Sequence, residues 1–497
     1  MTSIILDHRG ERMQVPKPAT IPHRDRITAR FDAAQTTDEN SRHWVNADYL
    51  GPNAALNPAI RKKIVSRARY EWENNTYCRG MVRTLANDTI GTGPSLQVVD
   101  ATRDEAVWIE NALWDWFLAA KIPEKLRTMR QAKCRDGETL AEFRTNPRLR
   151  SPVKLDLVPF ETDLLAGSIA TLGSGSLLDG LILDDFGNVI AYRILKDHPG
   201  DGLNLAYAND ADLIRAENII HLFNADRPGQ LRGCPEITPA LPLYAQLRRY
   251  TLAVIRCAES AALPSWMIET TGSSDVEPEP FDTIETERGM GLTLPKGSTM
   301  SQLKAEQPTS TYPQFKREII AEIARCLGMP YNVAAGDSSS YNYSSGRLDH
   351  RTYYKAIRVE RSYFETSALD PILAKWWQEA SMIEGLLPPR FFRQPVPRHE
   401  WRWDGDEHVD PTKEADAAVT RMTSGLTSMV DEVSRLGGDI SVVHQKNADA
   451  MGLTIAEYRE RLTNFLFGTA PAQATQTPST SSTDSTTDPS QVEDQNA

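Results

Sequence analysis

Apolar and polar positions change period along the chain. From Pro58, Ile60, Ile64 and Ala68 recur at every fourth residue. Arg61, Lys62, Lys63, Arg67 and Arg69 occupy the other faces, which predicts a helix with a basic, solvated face. A second helix runs through Tyr77, Met81, Leu85 and Thr89 and stops at Gly91-Thr92-Gly93-Pro94. A third, Asp104 to Leu118, carries Val107, Trp108, Leu113, Trp114 and Phe117. The period then falls to two. Val153 to Val158 alternates as a strand, and Leu181–Asp184 and Val189–Ile194 flank the turn Asp185-Phe186-Gly187-Asn188. Ile219 to Phe223 reads as a short buried strand.

The second half returns to helices. One spans about Pro239 to Ala262 and another Tyr312 to Leu327, ending at Gly328-Met329-Pro330. Between them, residues 265–310 are rich in Gly, Pro, Ser and Thr. A polar loop over 336–346 precedes a very long helix, Arg347 to Glu379. After a Pro- and Trp-rich stretch, two or three helices run from Asp410-Pro411, a capping Asp with a first-position Pro, to Phe467. Residues 468–497 have almost no large apolar side chains and read as disordered. The fold class is α+β.

At 497 residues the chain is long enough for two or three domains. Its formal charge of −12 argues against a protein that wraps nucleic acid by neutralising phosphates. Segment 265–310 is itself acidic: Glu269, Asp275, Glu277, Glu279, Asp282, Glu285, Glu287 and Glu306 face Arg288, Lys296 and Lys304. Cys78, Cys134, Cys234, Cys257 and Cys326 are scattered, which indicates buried reduced thiols rather than a zinc site or disulfide framework. No apolar run approaches the ~20 residues of a membrane span, and no signal-peptide core is seen, so assembly in the cytoplasm without a membrane is expected.

Catalytic patterns are sparse. Asp185-Phe186-Gly187 matches a kinase metal-binding triplet but lacks the accompanying motifs and fits a turn better. Gly336-Asp337-Ser338, with His350 further on, offers the alternative of a hydrolase using a loop serine such as Ser338. Neither G-x-G-x-x-G nor G-x-x-x-x-G-K-[ST] occurs, nor H-E-x-x-H, so no cofactor, ATP or metal site is expected, and the chain is not an enzyme on this reading.

Several stretches together resemble the lambda family of phage portal proteins. They are Asn74-Asn75-Thr76-Tyr77 leading to Ile90-Gly91-Thr92-Gly93, Arg135-Asp136-Gly137-Glu138, and Ile219 to Phe223 followed by Arg227-Pro228-Gly229-Gln230-Leu231-Arg232-Gly233. Leu327 to Tyr331, Asn342-Tyr343-Ser344-Ser345 and Asp410 to Ala415 complete the series, which covers about residues 40–465. The resemblance implies an N-terminal arm (1–54), a mixed α/β wing (55–238), and stem helices (239–264 and 312–330) framing a clip (265–311). It also implies a channel loop (331–346), a long wing helix with its connector (347–400), crown helices (401–467) and a tail (468–497). Tyr341, Asn342, Tyr343, Ser344 and Ser345 would then face DNA in the channel, and Glu277, Glu279, Asp282, Glu285 and Glu287 would serve terminase docking. Implied partners are about eleven further copies of the chain in a closed ring, the terminase large subunit, major capsid and scaffold proteins, head-completion and tail connector proteins, and double-stranded DNA without sequence specificity. A virion location at one capsid vertex follows. A gene-transfer agent or a defective prophage would use the same protein.

Overall fold

In the computed structural model, the described residues are 42–165, 169–172, 175–201, 210–262, 266–270, 298–302, 311–339, 342–405 and 411–468. The chain divides into Met1–Ala55, which ends in the four-residue helix α1 (Pro52–Ala55), and Leu56–Ala497. In the second unit, Asn57 caps α2 (Pro58–Asn74) by accepting from the amides of Ala59 and Ile60. Asn75 ends α2 and caps α3 (Thr76–Ile90), and its amide also donates to the Tyr244 carbonyl at 3.1 Å. Strand β1 (Ser95–Val98) leads to α4 (Arg103–Ala119), whose Glu105 accepts from the Thr102 amide at 3.0 Å in a capping box. Then comes α5 (Ile122–Asp136).

The sheets follow. β2 (Glu138–Thr145) is the centre of a three-stranded antiparallel sheet, flanked by β3 (Leu155–Phe160) and β9 (Ile219–Phe223). Between β3 and β9 the chain builds a five-stranded antiparallel meander of β4 (Ile169–Leu172), β5 (Gly175–Leu178), β6 (Leu181–Leu183), β7 (Val189–Leu195) and β8 (Ala211–Arg215). The expected β6–β7 turn is present, with Asp184 accepting from the amides of Phe186 and Asn188.

Helix α6 (Leu241–Ala262) ends near β10 (Trp266–Thr270), which pairs antiparallel with β11 (Ser298–Gln302). The chain then returns through α7 (Tyr312–Cys326), which packs on α6 where Tyr250 meets Tyr312 and Phe315. Next are α8 (Tyr331–Ala335), α9 (Tyr343–Phe364), a π-helical turn at Glu365–Leu369, and α10 (Asp370–Ala380). Strand β12 (His399–Arg402) pairs back onto β1, and α11 (Pro411–Thr423), α12 (Met429–Arg435), α13 (Ile440–Met451) and α14 (Ile455–Phe467) follow.

Among the described residues, three cores hold this unit together. One joins α4, the start of α5, the three-stranded sheet and α10 around Trp116, Phe117 and Trp376. A second joins α2, α3, α6, α7, α8 and α9 around Met81, Tyr244, Ile323 and Tyr353. A smaller third seats the five-stranded sheet against Leu140 and Ile219.

Six expectations are corrected. The long helix begins at Tyr343, not Arg347, and the expected 331–346 loop includes the short helix α8. Among the described residues, four helices, not two or three, follow residue 410. Trp401, expected at the start of a helical region, lies in β12 and stacks on Phe117 in the first core. Cys257 is exposed, whereas Cys78 and Cys134 are buried. The basic face of α2 is not uniformly solvated: Val65 and Ala68 are buried together with Arg61, while Ile60 is exposed. Arg61 is accommodated on the buried side by its pairing with Asp179.

Candidate functional site

Gly137 joins α5 to β2 at φ +89°, and Gly233 passes directly over it. A Cβ on Gly233 would lie 2.1 Å from the Gly137 carbonyl oxygen, and one on Gly137 would lie 2.4 Å from the Cys234 carbonyl carbon. Only two glycines allow backbone to cross backbone this closely. The crossing places Arg232 beside Glu138.

Glu138 is fully buried. Arg232 Nε donates to both of its oxygens at 3.0 Å, and the Gly233 amide donates at 2.9 Å. His221 Nε2 is also 3.0 Å from the carboxylate. Burial by itself would raise the Glu138 pKa; Arg232 and His221 outweigh it and hold the carboxyl well below the usual carboxylate range. Arg232 also reaches Asp179, on the turn between β5 and β6, at 2.9 Å, and Arg61 of α2 pairs with the same Asp179. One ionic chain therefore ties α2, both sheets and the 230–235 segment together.

A second cluster lies on α5. Lys133 is fully buried, with Nζ 2.6 Å from Glu360 of α9 and 4.8 Å from the centre of the Tyr363 ring. Arg130 bridges Glu236 at 3.1 Å and Glu360 at 3.2 Å. Burial pushes the Glu236 carboxyl up, but Arg130 and Lys133 bring it below its ordinary value. Further along α9, Tyr353 donates to Asp88 at 2.7 Å, and Arg361 donates to the carbonyls of Asp88, Thr89 and Asp404. The inner face of α9 is thus pinned by polar contacts along most of its length.

Glu161, Asp163 and His198 come close enough to share a cation. Arg69 already supplies one, 2.7 Å from Asp163, 3.4 Å from Glu161 and 3.0 Å from Asp136. The cluster is a guanidinium site built from the residues present.

The segment before α9 is short and polar. Gly336 ends α8 at φ +66°, and Asp337 accepts from the Ser339 amide at 3.0 Å. Arg317 lies over the Tyr331 ring at 4.7 Å. His350, paired with Ser338 in the hydrolase alternative, places Nε2 2.9 Å from Asn332 Nδ2. Asn342 is exposed, Tyr343, Ser344 and Ser345 form the first turn of α9, and Tyr341 lies outside the described residues. So do Glu277, Glu279, Asp282, Glu285 and Glu287.

The Arg135–Glu138 and Arg227–Gly233 motifs prove to be two halves of one junction. Arg61 and Asp179, which extend that junction, and Arg69, Arg130, Lys133, Glu236 and Glu360 of the neighbouring clusters were not recognised as site residues in the sequence. The available signal was the presence of Arg130 and Lys133 among Leu126, Met129 and Cys134 on one stretch of α5.

A family model described as phage portal protein, lambda family, matches residues 37–361 of the 497. The probable portal protein of Halomonas phage phiHAP-1 is 29% identical over 329 residues, covering 63% of this chain. The match spans 62% of that relative, less than two thirds of its length. Among solved structures, the neck of an empty gene transfer agent particle aligns with a TM-score of 0.45 at 15% identity, covering 76% of this chain and 93% of that one. The virion of a native gene transfer agent particle aligns with a TM-score of 0.43 at 14% identity over 76% of this chain and 93% of that one.

Proposed function

The chain belongs to the lambda family of phage portal proteins, and from that premise we propose that it is the subunit of a closed ring at one vertex of a virion-like capsid, through which DNA is packaged and ejected. The observation that carries this reading is the α6–α7 pair with the β10–β11 ladder at its end. Two long helices that leave and return through a small sheet suit a stem, with a clip over 265–311. Residues 55–238 with the long helix are assigned to the wing, and 401–467 to the crown.

The clip, with Glu277, Glu279, Asp282, Glu285 and Glu287, is assigned to docking of the terminase large subunit and then of head-completion and tail connector proteins. Major capsid and scaffold proteins would meet the rest of the ring's outer surface. Segment 331–346 is assigned to the channel, where Tyr341, Asn342 and the turn Tyr343–Ser345 make weak, sequence-blind contacts with duplex DNA. The protein itself contributes geometry rather than bond chemistry: head-to-tail contacts close a ring of about twelve copies when the rotation permits. A net charge of −12 per chain keeps phosphates from adhering broadly to its surface.

Negative-stain electron microscopy of the purified chain tests the reading. Rings with a central opening wide enough for a duplex are expected. A uniform monomer, together with covalent labelling of Ser338 by a fluorophosphonate probe, would replace the ring by the hydrolase alternative.

A further inference from the structure

The inner face of α9 is fixed by Tyr353, Ile357, Glu360 and Phe364, of which Tyr353, Ile357 and Phe364 are buried. Its outer face carries Arg347, Arg351, Lys355 and Arg358, all exposed. Their spacing of four, four and three residues sets them on one ridge, about 16 Å long at 1.5 Å per residue. The ridge carries no acid. Asp349 is two residues from both Arg347 and Arg351 and so points to another side of the helix, and Glu360 is engaged by Lys133 and Arg130. Among the described residues no ion pair is formed by these four cations, in a chain whose other buried and half-buried cations are paired repeatedly.

We propose that this ridge is a phosphate-contact surface for duplex DNA, resting on the assignment of the preceding segment 331–346 to the channel. Four exposed cationic heads in a row match a polyanion whose charge is continuous along its length, with about 3.4 Å of rise per phosphate on each strand. Arg and Lys alone, with no amide-bearing side chain among them, provide attraction without reading bases. The ridge also repels its own copy, so two subunits do not meet ridge to ridge. In an otherwise acidic protein it provides a confined track on which DNA is held loosely, a device that adhesion over the whole surface would defeat.

The test uses assembled rings of the full chain and short duplexes of two unrelated sequences, with binding followed by fluorescence anisotropy between about 50 and 200 mM salt. Rings of the native chain should bind both sequences equally, with affinity falling as salt rises. The double variant Arg351→Gln/Lys355→Gln should bind more weakly, with a log–log salt slope shallower by about 0.9 for each phosphate no longer neutralised. Lys62→Gln/Lys63→Gln, which removes the same charge from exposed positions on α2, should leave the slope unchanged. Variant rings with native affinity and slope would overturn the proposal, as would native rings that bind no duplex. A double variant that stays folded but no longer forms rings would make the ridge a subunit contact instead. Absence of rings from the native chain, together with labelling of Ser338 by the fluorophosphonate probe, would sink the portal reading and the ridge with it, so the two failures are distinguishable.

Discussion

Glu138 shows how much depends on one carboxylate when it is buried with its partners. Removing one member of a buried pair leaves the other charge uncompensated, at a cost of about 3–5 kcal/mol. Glu138→Gln should therefore lower the urea midpoint substantially, and Glu138→Gln/Arg232→Met should lower it by less than the two single changes summed, because the residues are in direct contact. The pH dependence has a fixed sign. The folded pKa of Glu138 is depressed, so the unfolded chain takes up this proton first as pH falls. The stabilisation is complete above the unfolded value of about 4.3 and is lost as pH drops from there toward the folded value. Melting curves at neutral and acidic pH should show a smaller gap in Glu138→Gln than in the native chain. A gap of unchanged size would mean that other carboxylates, Glu236 among them, dominate acid unfolding. At the adjoining crossing, Gly233→Ala drives a methyl into the Gly137 carbonyl and should lower the melting temperature even though no charge changes.

At the scale of elements, the segment leading into α9 turns on Gly336. It closes α8 in the left-handed region with open space around its missing Cβ, so only backbone strain opposes a side chain there. Gly336→Ala should cost about 1–2 kcal/mol and Gly336→Asn less, since Asn tolerates this conformation; thermal melts of the two variants check the order. The same elements show what could be read from residue order. β9 and the β6–β7 hairpin were legible because apolar period and turn chemistry agree there. Helix α5 was not, because Arg130 and Lys133 are buried among its apolar residues and dilute the stripe; their partners, Glu236 and Glu360, lie 106 and 227 residues away. The start of α9 was misplaced because Asn342, Tyr343, Ser344 and Ser345 have the composition of a turn, yet three of them form its first turn. The Gly137–Gly233 junction was visible as two motifs, but only the crossing of their backbones makes them one site.

For the whole molecule, the question is what a single chain leaves unsatisfied. Helix α6 buries Tyr244, Leu247 and Val254, while Leu252 and Ile255 are half exposed, at 50% and 48%. Three residues apart, these two share a side of the helix, and Phe315 on the paired α7 is likewise 50% exposed. Isolated apolar residues on a surface need no explanation, but a pair on the outside of a proposed stem would be covered when copies pack side by side around a ring. Burying each on assembly would contribute about 1–2 kcal/mol per subunit contact, repeated at every interface. Leu252→Glu/Ile255→Glu removes that gain and sets carboxylates at the contact. Because both positions are already exposed in the single chain, folding should be almost unaffected. Circular dichroism and thermal melts should match those of the native chain, while mass photometry should show rings replaced by monomers. If the variant forms rings of native size, the subunits are held elsewhere, and the exposed apolar residues of α12 to α14, Val430, Leu436, Val442, Met451 and Phe465, become the next place to look for the contact.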